Sequence, residues 1–172
     1  MPYAFLTGGA RSGKSSAAEH RATASGSPVT VIATAEAGDA EMTARIEQHR
    51  RSRPTDWTTI EEPMRLTEAA RTVPEDGFVL IDCMTLWLAN VLEWSDSAIL
   101  EHVDELSSLL STRDGCAVVV SNEVGDGIVP ADPMTRRYRD LLGVVNGRLA
   151  ARAAESYLVV AGQFLHLEPS PW

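Results

Sequence analysis

Eight residues near the start of the chain, Gly8-Gly9-Ala10-Arg11-Ser12-Gly13-Lys14-Ser15, fit the pattern GxxxxGK[ST] in full. No other stretch limits the fold as much, because this loop works only where a strand runs into it and a helix leaves it. Both flanks comply: Tyr3–Leu6 reads as a short apolar strand, and Lys14–Ala24 as an alanine-rich helix. Gly8 and Gly13 allow a tight turn that aims the N–H groups of the Gly8–Ser15 loop inward around an anion. The helix N-terminus adds partial positive charge. Lys14 supplies a compact cation to β- and γ-phosphates, and the Ser15 hydroxyl supplies a ligand to Mg²⁺. The chain has fourteen arginines and one lysine, and that lysine is Lys14. A planar guanidinium cannot replace a point charge in such a cradle, which gives the lone lysine a reason. The competing reading is an ordinary glycine turn ahead of a helix.

Beyond the loop, short β-branched runs alternate with segments of helical period, which predicts an α/β fold with a mostly parallel sheet flanked by helices. Strands are expected at Val29–Ala33, Trp57–Glu61, Gly77–Asp82 and Cys116–Ser121. Helices are expected at Asp39–Arg51, Met64–Arg71, Thr85–Leu92, Ser97–Leu110 (capped by Asp96) and Pro133–Glu155, the last with an interruption near Gly143. Tyr157–Ala161 and Phe164–Leu167, around Gly162-Gln163, read as a C-terminal antiparallel hairpin. With 172 residues and no repeat or linker, residues 1–172 form a single domain in this reading.

The chain carries a formal charge of −9, which opposes binding to nucleic acid or anionic membranes. No apolar run approaches the roughly 20 residues of a membrane span. Cys83 and Cys116 are far apart and lack CxxC spacing, so a structural zinc site is not expected and reduced thiols in the cytoplasm are. Anion binding must therefore be local.

Two further positions complete a candidate site. Asp82 ends the apolar run Phe78–Ile81, at the strand end where ligands gather in an open sheet, and could hold Mg²⁺ with Ser15; capping the next helix is the alternative. On the helix through Asp39–Arg51, Met42, Ile46 and His49 fall in one sector at about 100° per residue. Arg45 lies a turn before His49, and Arg50, Arg51 and Arg53 follow it. An inward histidine among arginines could attack a nucleotide phosphate while the arginines stabilise charge. A satisfied core histidine beside a solvated arginine face fits the same pattern.

Taken together, TGGARSGKS (7–15), IAT (32–34), EMTARIEQHRRSRPTDWTTIEEP (41–63), DCMTLWLAN (82–90), SNEVGDGIVP (121–130) and RRYRDLLGVVNGRLA (136–150) resemble the bifunctional adenosylcobinamide kinase / adenosylcobinamide-phosphate guanylyltransferases of cobalamin biosynthesis. The segments occur in family order across nearly the whole chain. The phosphate loop is generic; RIxxH…WxTxE and NEVGxGIVP are the specific parts. The resemblance implies a RecA-like P-loop NTPase fold and a homotrimer. It also implies two reactions: phosphorylation of adenosylcobinamide by ATP or GTP, then transfer of GMP from GTP, through a guanylylated histidine, to adenosylcobinamide phosphate, with release of pyrophosphate.

By resemblance, His49 is the guanylylated residue, and Thr34, Ala35, Arg50, Arg51, Ser52, Arg53, Glu61 and Asp82 join the loop in binding nucleotide. Imidazole needs no separate strong base to attack phosphorus. Glu61 could accept hydrogen bonds from guanine N1–H and the exocyclic amine, which adenine cannot match; a solvated acid at a strand end is the alternative. Asn122 and Glu123, beyond the strand ending at Ser121, are candidates for positioning the corrinoid or its phosphate, or simply for building a loop. Trp87 and Trp94 read as packing or subunit-contact residues. One departure is Gln48-His49, where family members often have two adjacent histidines. Rival readings are a monofunctional P-loop kinase for another small alcohol and a non-catalytic GTP-sensing module.

Overall fold

A computed structural model of the chain describes residues 3–169 and, within them, every side chain except that of Arg45. The apolar β-branched runs become strands β1 (Ala4–Thr7), β2 (Val29–Ala33), β3 (Thr58–Glu61), β4 (Phe78–Asp82), β5 (Ala117–Val120), β6 (Glu155–Val160) and β7 (Gln163–Leu167). They form one seven-stranded sheet in the order β3-β2-β4-β5-β1-β6-β7. Every pairing is parallel except β6 with β7.

Helices α1 (Lys14–Ala24), α2 (Ala40–Ser52), α3 (Leu66–Thr72), α4 (Met84–Asn90), α5 (Asp96–Thr112) and α6 (Pro133–Arg152) connect the strands. Side chains alternate across the sheet as the pleat requires. Tyr3, Phe5, Val79, Ile81 and Val119 face a core shared with α3–α6. Ala4, Leu6, Phe78, Leu80 and Val118 face a smaller core closed by Ala18 and Ala22 of α1. The alanines let α1 lie close to the sheet, which carries the phosphate loop down onto its carboxyl edge. No described residue of α2 belongs to either core.

Three expectations are corrected here. The N-cap of α5 is Ser95, whose Oγ accepts from the Ala98 N–H; Asp96 is the first helical residue and pairs with Arg137 instead. Helix α6 runs through Gly143 without a break, because Leu141, Leu142, Val145 and Leu149 bury one continuous face and the glycine points away from it. It also stops at Arg152, since Ala154 and Glu155 already pair with β1: the Ala154 N–H donates to Tyr3 O at 2.9 Å.

Candidate functional site

The loop after β1 is shaped by backbone that tolerates no side chain. Gly8 has φ +148°, and a Cβ there would stand 2.2 Å from the Val159 carbonyl oxygen of β6. Gly13, at φ +104°, packs its open face on Gly162 in the β6–β7 turn, and the Gly162 N–H donates to Ser12 O at 2.8 Å. The loop is thus braced from behind by the hairpin. Its Lys14 is only 5% exposed. The ammonium donates to Gly9 O at 2.6 Å and to Ser12 Oγ at 3.3 Å. Burial pushes the Lys14 pKa down, while the nearby Cys83 and Asp82 act the other way.

In front of the loop lies a cavity of about 500 Å³ at the carboxyl edge of the sheet. Ala10 through Ser15 line it, together with Asp82, Cys83 and Asn122. Met42, Ile46, His49, Arg50 and Arg53 of the α2 region also line it, as do Ala35 after β2 and Glu61 of β3. His49 is exposed and lines the cavity, so the core-histidine reading fails: its apolar helix neighbours Met42 and Ile46 line the cavity and belong to neither core. Arg50 pairs with Glu61 at 3.4 Å, both side chains mostly exposed.

Asp82 does not cap α4; Cys83 holds the N-cap position and makes no side-chain capping bond. Its carboxylate instead faces Arg53 at 3.6 Å, and Arg53 reaches Glu19 of α1 at 3.9 Å. Burial pushes the Glu19 pKa up, with Arg53 opposing. Ser15 and Asp82 bring a hydroxyl and a carboxylate to the same cavity. These are the hard oxygen donors that suit Mg²⁺, which binds through few protein ligands and the nucleotide phosphates.

Several expected residues support the cavity without bordering it. Gly8 and Gly9 do not line it, though Gly9 O accepts from the Lys14 ammonium. Thr34 is fully buried; its hydroxyl donates to Cys83 O at 2.8 Å and accepts from Cys83 N at 2.9 Å, tying the ends of β2 and β4 together. Ser52 Oγ donates to His49 O, and Arg51 points outward to Glu47. Glu123 donates its N–H to Gly8 O and turns its carboxylate onto the Gly125 N–H. Trp87 is packing, fully buried, with its indole N–H donating to Met64 O at 2.9 Å. The sequence reading missed Cys83 and Leu86 in the cavity lining and Glu19 beside it. Glu19 was open to detection: four residues after Ser15, it shares that residue's helix face.

A mostly parallel sheet with GxxxxGK[ST] at the end of a strand beside the chain's Asp82 defines a P-loop nucleotide-binding protein. Solved structures share the fold. The P4 protein of bacteriophage phi6 in complex with ADP superposes with a TM-score of 0.54 at 18% identity, over 95% of this chain and 52% of that one. The RadB recombinase does so with a TM-score of 0.54 at 15% identity, over 91% and 73%.

The family follows from sequence. Residues 4–167 match the family described as cobinamide kinase / cobinamide phosphate guanyltransferase, and the chain belongs to it. It is 44% identical over 169 residues to the bifunctional adenosylcobalamin biosynthesis protein CobP of Pseudomonas aeruginosa, covering 97% of this chain and 98% of that protein. It is 41% identical over 173 residues to the bifunctional adenosylcobalamin biosynthesis protein CobU of Escherichia coli K12, covering 92% and 95%.

Proposed function

We propose that this chain phosphorylates adenosylcobinamide with ATP or GTP and then transfers GMP from GTP to adenosylcobinamide phosphate. The observation that carries the reading is that one cavity is lined by both the phosphate loop and His49. In the first reaction the hydroxyl of the aminopropanol arm attacks the γ-phosphorus and the nucleoside diphosphate leaves. Lys14 and the loop N–H groups hold the phosphates. In the second, an imidazole nitrogen of His49 bonds to the α-phosphorus of GTP as the bond to pyrophosphate breaks. A phosphate oxygen of adenosylcobinamide phosphate then displaces His49, giving adenosylcobinamide-GDP. Arg50 and Arg53 face this cavity and offset charge on the leaving pyrophosphate. Glu61 suits the guanine edge, and Asn122 the incoming substrate.

Ser15 and Asp82 would hold Mg²⁺, which when bound neutralises phosphate charge. Family resemblance supports a homotrimeric, cytoplasmic enzyme. Among the described residues no helix is long and apolar enough to cross a membrane.

The test is incubation with α-labelled GTP and Mg²⁺. Acid-labile label on the protein, absent from His49→Ala, is expected. Unlabelled wild-type protein refutes the guanylyl step and leaves a kinase; label that persists in His49→Ala moves the nucleophile elsewhere.

A further inference from the structure

Helix α2 carries His49 yet contributes nothing described to either core, so whatever seats its C-terminal end sets where His49 lies. Most ion pairs in this region are weak candidates. Arg50–Glu61 and Arg51–Glu47 join side chains that are each more than half exposed, where water screens the attraction. Arg53, the C-cap of α2, differs. Its side chain is 8% exposed and lies between two shielded carboxylates, Asp82 (16% exposed, 3.6 Å from Nη2) and Glu19 (24% exposed, 3.9 Å from Nε); Nε makes no hydrogen bond, so Glu19 holds it by charge at close range. Removing one partner of such a cluster is felt strongly, because the remaining charges stay out of water.

The two carboxylates are not equivalent. Asp82 has a second task in the function proposed above, as a Mg²⁺ ligand, and a carboxylate shared with a dication attracts a guanidinium less. Glu19 has no such task. It sits one turn after Ser15 on the same face of α1 and does not border the cavity.

We propose that Glu19 is a positioning residue for guanylyl transfer: from the α1 side it anchors Arg53, and so keeps the His49 end of α2 seated over the cavity while Asp82 is engaged with metal and nucleotide. This rests on the proposed function for its consequence, though not for its geometry. Phosphorylation of adenosylcobinamide, which does not use His49, is largely insensitive to Glu19.

The experiment compares full-length wild type with Glu19→Gln, Arg53→Ala and the double variant, each first shown to melt cooperatively. Limited trypsin cleavage after Arg50 and Arg51, mapped by mass, reports seating of the helix end without any nucleotide. Cleavage is expected to rise about tenfold in Glu19→Gln, and no further in the double variant than in Arg53→Ala, since cleavage tracks the open population. With α-labelled GTP, the rate of GMP attachment at saturation is expected to fall about tenfold in Glu19→Gln, with the half-saturating GTP concentration and the γ-phosphate transfer rate within about twofold of wild type. Unchanged cleavage after Arg50 and Arg51 overturns the proposal. So do losses that multiply in the double variant, or equal losses in both reactions. Wild type that takes up no label refutes the proposed function instead, and the cleavage result still decides whether Glu19 anchors Arg53.

Discussion

Replacing Gly8 by alanine should destabilise the protein through backbone contact alone. The new Cβ would lie 2.2 Å from the Val159 carbonyl oxygen and 3.1 Å from Ser12 Oγ. The first neighbour is main chain in a strand paired on both sides, by β1 and β7, so it cannot rotate away. Relief requires β1 and β6 to separate locally by more than an ångström. Overpacking of this kind costs about 1–3 kcal/mol. The φ of +148° adds about 1–2 kcal/mol for a residue with a Cβ. A total near 3 kcal/mol corresponds to a fall in Tm of about 6–12 °C for a chain of this size. Gly9→Ala is the internal control, because its Cβ would meet nothing within 4 Å. It should melt within about 2 °C of wild type. Calorimetry of the three proteins side by side makes the comparison. If Gly8→Ala melted with Gly9→Ala, the idea that β6 braces the loop by direct contact would be wrong.

Two other changes probe the large core. Arg113→Met should cost about 3 kcal/mol by denaturant titration, since the buried guanidinium donates to the Ala70, Val73 and Pro74 carbonyls between α3 and β4, which methionine cannot serve. His102 stacks on Trp87 with ring centroids 5.3 Å apart and meets Trp94 at 6.0 Å. Burial pulls its pKa below 6.5 although Glu68, Glu105 and Glu62 pull it up. Below pH 6.5 the unfolded chain therefore takes up a proton that the folded chain resists, and stability falls until the pH reaches the depressed folded value. His102→Phe should lose less stability than wild type between about pH 7 and pH 5 in matched urea melts; parallel curves would show that His102 does not carry this proton linkage.

The strands were the readable part of the fold, because β1, β2, β4 and β5 are buried on both faces and so appear as unbroken apolar runs. Ends were harder to read. Ser95 and Asp96 are both good caps, and only the bond to Ala98 separates them. Gly143 reads as a helix breaker because its cost of about 1 kcal/mol is visible in sequence, whereas the burial of Leu142 and Val145 that outweighs it is tertiary. The same distinction explains His49. Its period correctly grouped it with Met42 and Ile46, but periodicity names a shared face and says nothing of what covers it, here a cavity. Thr34 enters the nucleotide site by resemblance alone; that its buried hydroxyl also bridges β2 to Cys83 cannot be seen without the sheet order. For Glu19 the spacing to Ser15 marks the helix face, while its partner Arg53, which comes from a distant segment, is visible only in the fold.

The brace behind the phosphate loop also says something about when the chain becomes able to bind. Strand β1 is made before the other six described strands, yet it is inserted between β5 and β6: Ala4 pairs with Val118 on one side and Glu155 on the other. The turn that supports Gly13 is Ala161-Gly162, later still. An emerging chain therefore displays its nucleotide motif long before it has the walls that give the motif its shape. Synthesis must have passed Gly162 before Gly8–Ser15 is held in form, so a ribosome-bound fragment ending before β6 would carry the motif without the pocket.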